Sequence, residues 1–199
     1  MSVRAVFFDL GGVIIRTDYQ APREHLAERL KTTYEDLNRI VFDSESSRQA
    51  SVGAISTEAH WNAVTHRLGR PLSEAKAIRQ EFFAGDVIDL GLLAFIRSLR
   101  PRYKTGVISN AWPDLRQDLI EKRVDDAFDA LIISAEVGIM KPEPKIFQIA
   151  IEKLGVSAHE AAFVDDTPVN VDAARSLGMQ GILFREPRRA LSDLKELLK

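Results

Sequence analysis

The 199-residue chain contains no cysteine, and that absence removes disulfide staples, thiolate metal sites and thiol nucleophiles together. It also lacks an excess of either charge: 27 Lys and Arg stand against 29 Asp and Glu, a formal net charge of -2. Without a strongly basic surface, no nucleic-acid or anionic-membrane partner is expected. No apolar run approaches the ~18 residues of a membrane span, and the first apolar run begins too early for a signal peptide. A cytoplasmic location follows as an expectation. Histidine is scarce too. His25, His60, His66 and His159 are scattered, and His60 and His66 miss the i, i+4 spacing of a helical metal pair. They read as surface or hydrogen-bond-satisfied structural residues. Low-complexity tracts and internal repeats are absent.

The composition is otherwise that of a globular chain, 45% hydrophobic and 28% charged, long enough for one domain with an insertion or for two small ones. Short, uniformly apolar runs predict strands at Ala5 to Leu10, Thr105 to Ser109, Ala130 to Ser134, Ala161 to Val164 and Gly181 to Phe184. Runs of that kind suit strands covered on both faces. Between them lie helical patterns. From Pro142 to Leu154, the apolar Phe147, Ala150, Ile151 and Leu154 share one face, with proline at the entry and Gly155 at the exit. A second helix runs from Thr167-Pro168 to Gly178, and Leu191, Leu194, Leu197 and Leu198 line a C-terminal one. This alternation predicts a doubly wound α/β fold with a parallel sheet and right-handed crossovers.

The stretch from about Ala21 to Asp86 breaks the alternation. Trp61, Val64 and Leu68 share a face after Ser56-Thr57, and Ile78 and Phe82 share one after Ser73, so it reads as successive helices. The expected division is an α/β core of residues 1–16 and 87–199 carrying a helical insertion of residues 17–86. Arg48 lies in a polar, serine-rich stretch of the insertion expected to be a loop, and reads as a solvated loop arginine. Trp112 suits either a pocket wall or packing against the insertion.

Four signatures carry chemistry, in a fixed order: Val6-Phe7-Phe8-Asp9-Leu10-Gly11-Gly12-Val13, then Val107-Ile108-Ser109-Asn110, then Lys141-Pro142-Glu143-Pro144, then Phe163-Val164-Asp165-Asp166-Thr167-Pro168. Asp9 ends a strand, where ligands bind in open α/β sheets. The adjacent acids Asp165 and Asp166 repel, and a hard cation relieves such pairs. Ser109 and Asn110 offer uncharged donors, and Lys141 a compact positive charge. A nucleophilic carboxylate, a hydroxyl and amide pair, a cation and a carboxylate pair are the parts of metal-assisted phosphoryl transfer.

This order resembles the haloacid dehalogenase superfamily of hydrolases, in a branch whose first motif is Asp-Leu-Gly-Gly-Val, over most of the chain. The resemblance implies a Rossmann-like core with a helical cap, and a Mg²⁺-dependent phosphatase acting on a small phosphorylated metabolite. It makes Asp9 the nucleophile and a metal ligand, with Asp166, the Gly11 carbonyl and Asp165, in or beside the metal shell, completing the set. Ser109 and Asn110 would bind the phosphoryl oxygens, and Lys141 would offset their charge. A monomer or a homodimer is equally compatible.

One position departs from the pattern. Phosphatases of this superfamily carry a second Asp two residues after the nucleophile, as general acid and then base; here Gly11 stands there. Positioned acid-base catalysis is worth about 10²–10⁴-fold in rate. Asp18, on the segment leaving the site, is the one nearby acid to weigh as a substitute, and a linker role suits it better. Two other readings follow from the glycine. A dehalogenase needs no proton for its halide, although members of that type need no metal and Asp165-Asp166 is retained. A non-catalytic phosphate-binding domain is the third.

Overall fold

The computed structural model describes residues 2–199. Its seven strands are β1 (Ala5–Phe8), β2 (Ile15–Thr17), β3 (Asp86–Ile88), β4 (Lys104–Ser109), β5 (Ala130–Ile133), β6 (Ala161–Asp165) and β7 (Gln180–Leu183). Five of them form a parallel sheet in the order β5-β4-β1-β6-β7. The chain winds outward from β1 through β4 to β5, then returns to β6 on the other side. Strand order therefore reverses between β1 and β6, the crevice where α/β sheets bind their ligands.

The apolar runs are uniform because both faces of the sheet are covered. Along β1, Val6 and Phe8 pack with Leu92, Leu93, Ile96 and Leu194 on one side. Ala5 and Phe7 pack with Phe147, Ala150 and Phe163 on the other. Phe7 and Phe8 are fully buried, each worth roughly 1.5–3 kcal/mol of apolar transfer. Phe7 lies across Gly106 of β4, where an added Cβ would come within 2.6 Å of its ring. The C-terminal helix Pro187–Leu197 buries Leu194, as its leucine spacing predicts.

Several boundaries differ from the sequence expectation. β1 stops at Phe8, and the Asp9 carboxylate turns back to accept the Leu10 amide N–H at 2.7 Å. β5 ends at Ile133 because Ser134 opens a short helix, Ser134–Val137. β7 is shifted one residue toward the N-terminus. The helix expected from Pro142 begins at Pro144, with Glu143 as its N-cap. Lys141 consequently lies in the turn before the helix, free of helical geometry.

Between β2 and β3 lie five α-helices, Ala21–Arg29, Tyr34–Phe42, Glu45–Ser51, Thr57–Arg67 and Ala75–Phe82, with a 3-10 helix, Leu72–Glu74, that takes in Ser73 and leaves Glu74 as the N-cap of the last. Thr33, Ser44 and Ser56 cap three of them by accepting the amides of Asp36, Ser47 and Ala59, about 1 kcal/mol each. These helices share an apolar core of their own, including Leu26, Leu37, Val41, Trp61, Ile78 and Phe82. Arg48 sits on the Glu45–Ser51 helix, exposed and paired with Glu45 at 2.8 Å.

A short antiparallel ribbon, unannounced by any apolar alternation, brackets this insertion, pairing Ile15 with Ile88 and Thr17 with Asp86. The Thr17 hydroxyl donates to Asp86 at 2.7 Å. Buried Arg23 reaches the same carboxylate at 3.2 Å, donates to the Phe82 carbonyl and to Asn38, and lies 3.9 Å from the centroid of the Phe82 ring.

Candidate active site

The C-terminal ends of β1, β4 and β6 bring Asp9, Ser109, Asp165 and Asp166 to one edge of the sheet, and Lys141 enters from the turn before Pro144. The Lys141 ammonium lies 2.8 Å from Asp9 Oδ1 and 2.7 Å from Asp165 Oδ2. It is 4% exposed and Asp165 is fully buried, so this is an ion pair held in low dielectric. The Asp165 Oδ1 accepts the Thr167 amide at 2.8 Å, and both its oxygens lie 3.2 Å from the Asn170 amide nitrogen. Protein donors thus occupy both oxygens of Asp165. Asp166 is half-buried and accepts the Thr167 hydroxyl at 3.1 Å on Oδ1.

Gly12 explains how Asp166 approaches the β1 loop. It has φ +75, and a Cβ there would fall 2.0 Å from Asp166 Oδ2. Only glycine allows both the left-handed turn and the close approach. Gly11 is different: it is exposed, a Cβ added to it meets nothing within 4 Å, and its φ lies outside the left-handed range.

Carboxylate oxygens of Asp9, Asp165 and Asp166 lie within 4.8 Å of one another. Burial pushes the Asp9 carboxyl up to about 6, with Lys141 pulling it down and Asp165 pushing it further up. Burial also raises Asp166, the Thr167 hydroxyl opposes that, and Asp165 adds to it. Three carboxylates beside a single ammonium carry more negative charge than the protein compensates if all are ionised. The donor set is all oxygen, which suits a hard divalent cation such as Mg²⁺.

The expected phosphoryl-binding pair separates into two roles. Ser109 is 4% exposed, and its hydroxyl has no partner among the described residues. The Asn110 side chain instead clamps the Lys141 main chain, donating to its carbonyl at 2.9 Å and accepting its N–H at 2.7 Å. Its side-chain amide thus holds the Lys141 main chain in place. Sequence reading missed Thr167 and Asn170 as holders of Asp165. Asn170 left one trace, a polar residue between Val169 and Val171 in the first turn after the acidic pair. Asp18 is exposed and lies 3.5 Å from Arg16, which also binds Asp89 at 2.9 Å.

The loop after Asn110 carries the contacts to the insertion. Trp112 packs against Phe42, His60, Trp61 and Phe83, with ring centroids 4.4–6.2 Å apart. Asp114 accepts the Thr57 hydroxyl at 2.8 Å and pairs with Arg79 at 2.6 Å. His60 is fully buried with Nδ1 2.9 Å from Ser46 Oγ, while its Nε2 lacks a protein partner; the expectation of full satisfaction holds for one nitrogen only. A cavity of about 660 Å³ opens beside this junction, lined by Thr57, Trp61, Lys76, Arg79 and Asp114 among others. Neither Lys141 nor any residue of the carboxylate cluster lines it, so the reactive groups lie elsewhere. Among the described residues, no helix is long and apolar enough to cross a membrane.

Comparison with known proteins agrees with this geometry. The chain is 27% identical to bifunctional epoxide hydrolase 2 of Rattus norvegicus, an alignment covering 99% of this chain but 39% of that protein. It thus spans about two fifths of the length of the epoxide hydrolases it matches. Sesquiterpene phosphatase astK of Aspergillus oryzae is 28% identical, with 98% of this chain and 96% of that one covered. A HAD family enzyme from Bacteroides thetaiotaomicron, solved with magnesium and inorganic phosphate, superposes with a TM-score of 0.74 at 25% identity, covering 89% of this chain and 92% of that one. The family model for haloacid dehalogenase-like hydrolases matches residues 3–178, and with the sheet order and the carboxylate cluster it identifies the chain as a member of that hydrolase family.

Proposed function

We propose that the chain is a divalent-metal-dependent phosphatase that acts on a small phosphorylated metabolite through an aspartyl-phosphate on Asp9. The observation that carries this reading is the Asp9–Lys141–Asp165 ion triad with Asp166 beside it, at the β1/β6 crevice. A related phosphatase of nearly equal length and a related enzyme crystallised with magnesium and phosphate support it. Asp9, Asp166 and the Gly11 carbonyl would hold Mg²⁺. The bound ion would supply positive charge against the phosphoryl oxygens and bring the substrate to Asp9.

The chain's own residues supply the rest. Lys141 holds Asp9 Oδ1, which leaves Oδ2 as the attacking atom, and its charge offsets that gathering on the phosphoryl group. Asp165 fixes the ammonium, and Asn110 fixes the lysine main chain. Ser109 has its hydroxyl available for a phosphoryl oxygen. The helical insertion, tied to the loop beyond Asn110 through Asp114 and Trp112, acts as a cap that excludes water and selects the substrate.

The test is phosphate release across phosphorylated metabolites and an aryl phosphate, comparing wild type with Asp9→Asn. Release that requires both Mg²⁺ and Asp9 is the expected result. Undiminished turnover by Asp9→Asn, or by chelated wild type, would overturn the reading.

A further inference from the structure

Among the described residues around Asp9, no acidic side chain is free to give the leaving group a proton, and the unpartnered Ser109 hydroxyl is far too weak an acid to do so. Lys141 is committed to two carboxylates, at 2.8 and 2.7 Å. Asp165 is fully buried and has both oxygens occupied. Asp166 belongs to the charged cluster that would hold the metal. Asn110 has no acidic proton and is engaged with the Lys141 main chain. Asp18 is exposed and paired with Arg16. His60 is fully buried beneath Trp112, out of reach of a ligand. At Gly11 there is no side chain, and space for one lies open beyond its Cα.

We infer that the enzyme acts on phosphate derivatives of acidic leaving groups, namely aryl phosphates, acyl phosphates or phosphoanhydrides, and discriminates against simple alkyl phosphates. This rests on the phosphatase reading and narrows it. In the first step an Asp9 oxygen bonds to phosphorus while the bond from phosphorus to the leaving oxygen breaks. The leaving group departs with that electron pair as its own anion. In the second, a water oxygen bonds to phosphorus, the Asp9–phosphorus linkage breaks, and phosphate leaves carrying the water's protons or passing one to solvent. Neither step draws a proton from the protein. An alkoxide is too basic to leave in that way, whereas a phenolate, carboxylate or phosphate is stable at neutral pH. Hydrolysis of the common phosphoenzyme, without a positioned base, limits kcat. Leaving-group identity accordingly appears in kcat/KM and fades from kcat.

The experiment measures Mg²⁺-dependent kcat/KM for 4-nitrophenyl phosphate, phenyl phosphate, acetyl phosphate and 2-phenylethyl phosphate with wild type, Gly11→Asp, Gly11→Ala and Asp9→Asn. Wild type should lose about 10²–10⁴-fold from 4-nitrophenyl to 2-phenylethyl phosphate, the size of a missing acid. Gly11→Asp should raise the alkyl ester by a comparable factor and flatten the dependence. Gly11→Ala, which adds the Cβ without the proton, should keep the wild-type slope. A flat wild-type profile would overturn the inference while leaving the phosphatase reading intact, and that arm decides even if Gly11→Asp does not fold. Absence of Asp9-dependent release from every ester would overturn the phosphatase reading and this inference with it.

Discussion

Removing the Lys141 charge tests the electrostatic account most directly. In Lys141→Met the apolar stem is kept, but Asp9 and Asp165 lose the ammonium that lies 2.8 and 2.7 Å away. Asp165 is fully buried and Asp9 is 9% exposed, so water cannot replace it. Deleting one partner of a buried ion pair costs about 3–5 kcal/mol, since the remaining charge is left uncompensated. For a domain of this size that is roughly 6–20 °C in Tm, at 2–4 °C per kcal/mol. The loss should depend on pH. Burial already raises Asp9 to about 6 against an ordinary 3.8, and without Lys141 it rises further. A carboxyl raised in the folded state binds more protons there than in the unfolded state, so stability falls as pH climbs from about 4 through the folded pKa. The gap between variant and wild type should thus be narrow near pH 4.5 and wide at pH 8. Urea denaturation at both pH values, without divalent metal, measures it. Lys141→Met/Asp165→Asn, with one carboxylate fewer, should recover part of the loss at pH 8. A cost under 1 kcal/mol at pH 8, or one independent of pH, would refute the reasoning.

Two further outcomes follow from the geometry. Gly12→Ala should lose about 1–3 kcal/mol to backbone strain and displace Asp166, whose Oδ2 lies 2.0 Å from the new Cβ; calorimetry with and without Mg²⁺ should show a smaller metal-induced rise in Tm than wild type, and an unchanged Tm and rise would contradict the packing account. Burial pushes His60 down to about 4 from 6.5, so the unfolded state binds the proton more readily between those values and stability should rise across that window by roughly 2–3 kcal/mol. His60→Gln should flatten that part of the Tm–pH profile, and an unaltered slope would show that other groups set it.

The reactive side chains were legible because each stands at a place the chain pattern marks. Asp9, Ser109 and Asp165 close apolar strands, and parallel strands in an α/β sheet end on the same edge, so their convergence follows from the alternation. Lys141 was marked by its Pro-rich context. What stayed hidden are pairings between distant residues of ordinary type. The three-residue strands β2 and β3 match across about 70 residues with no apolar alternation to announce them. Asn110 read as a phosphoryl donor because its amide suits that role, and its pairing with the Lys141 main chain, 31 residues on, left no mark in the sequence. Within the insertion, the helix after Ser56-Thr57 was visible from its capping serine and apolar face, and the one carrying Ile78 and Phe82 from its face alone, since Ser73 lies in the short 3-10 helix before it and is not its cap. Trp112 was ambiguous because its packing partners, Phe42, His60, Trp61 and Phe83, come from two separate helices and the turn that follows a third.

The charge count at the centre gives a reason for a divalent ion that is independent of any relative. Ionised Asp9, Asp165 and Asp166 with Lys141 sum to -2. A phosphate monoester arrives as a dianion. Unit charges 4 Å apart interact by about 4 kcal/mol at an effective dielectric of 20, so Asp9 facing that dianion meets about 8 kcal/mol of repulsion. One ammonium at hydrogen-bond distance opposes this in part, yet it also serves Asp165. The protein could have lowered the repulsion by replacing Asp166 with a neutral residue, but Gly12 preserves the close approach of its carboxylate at the cost of a flexible backbone position. Burial raises Asp9 and Asp166 above their ordinary pKa values, and the neighbouring Asp165 charge adds to it. A divalent cation would bring the four groups to neutrality and offset the repulsion among the three carboxylates.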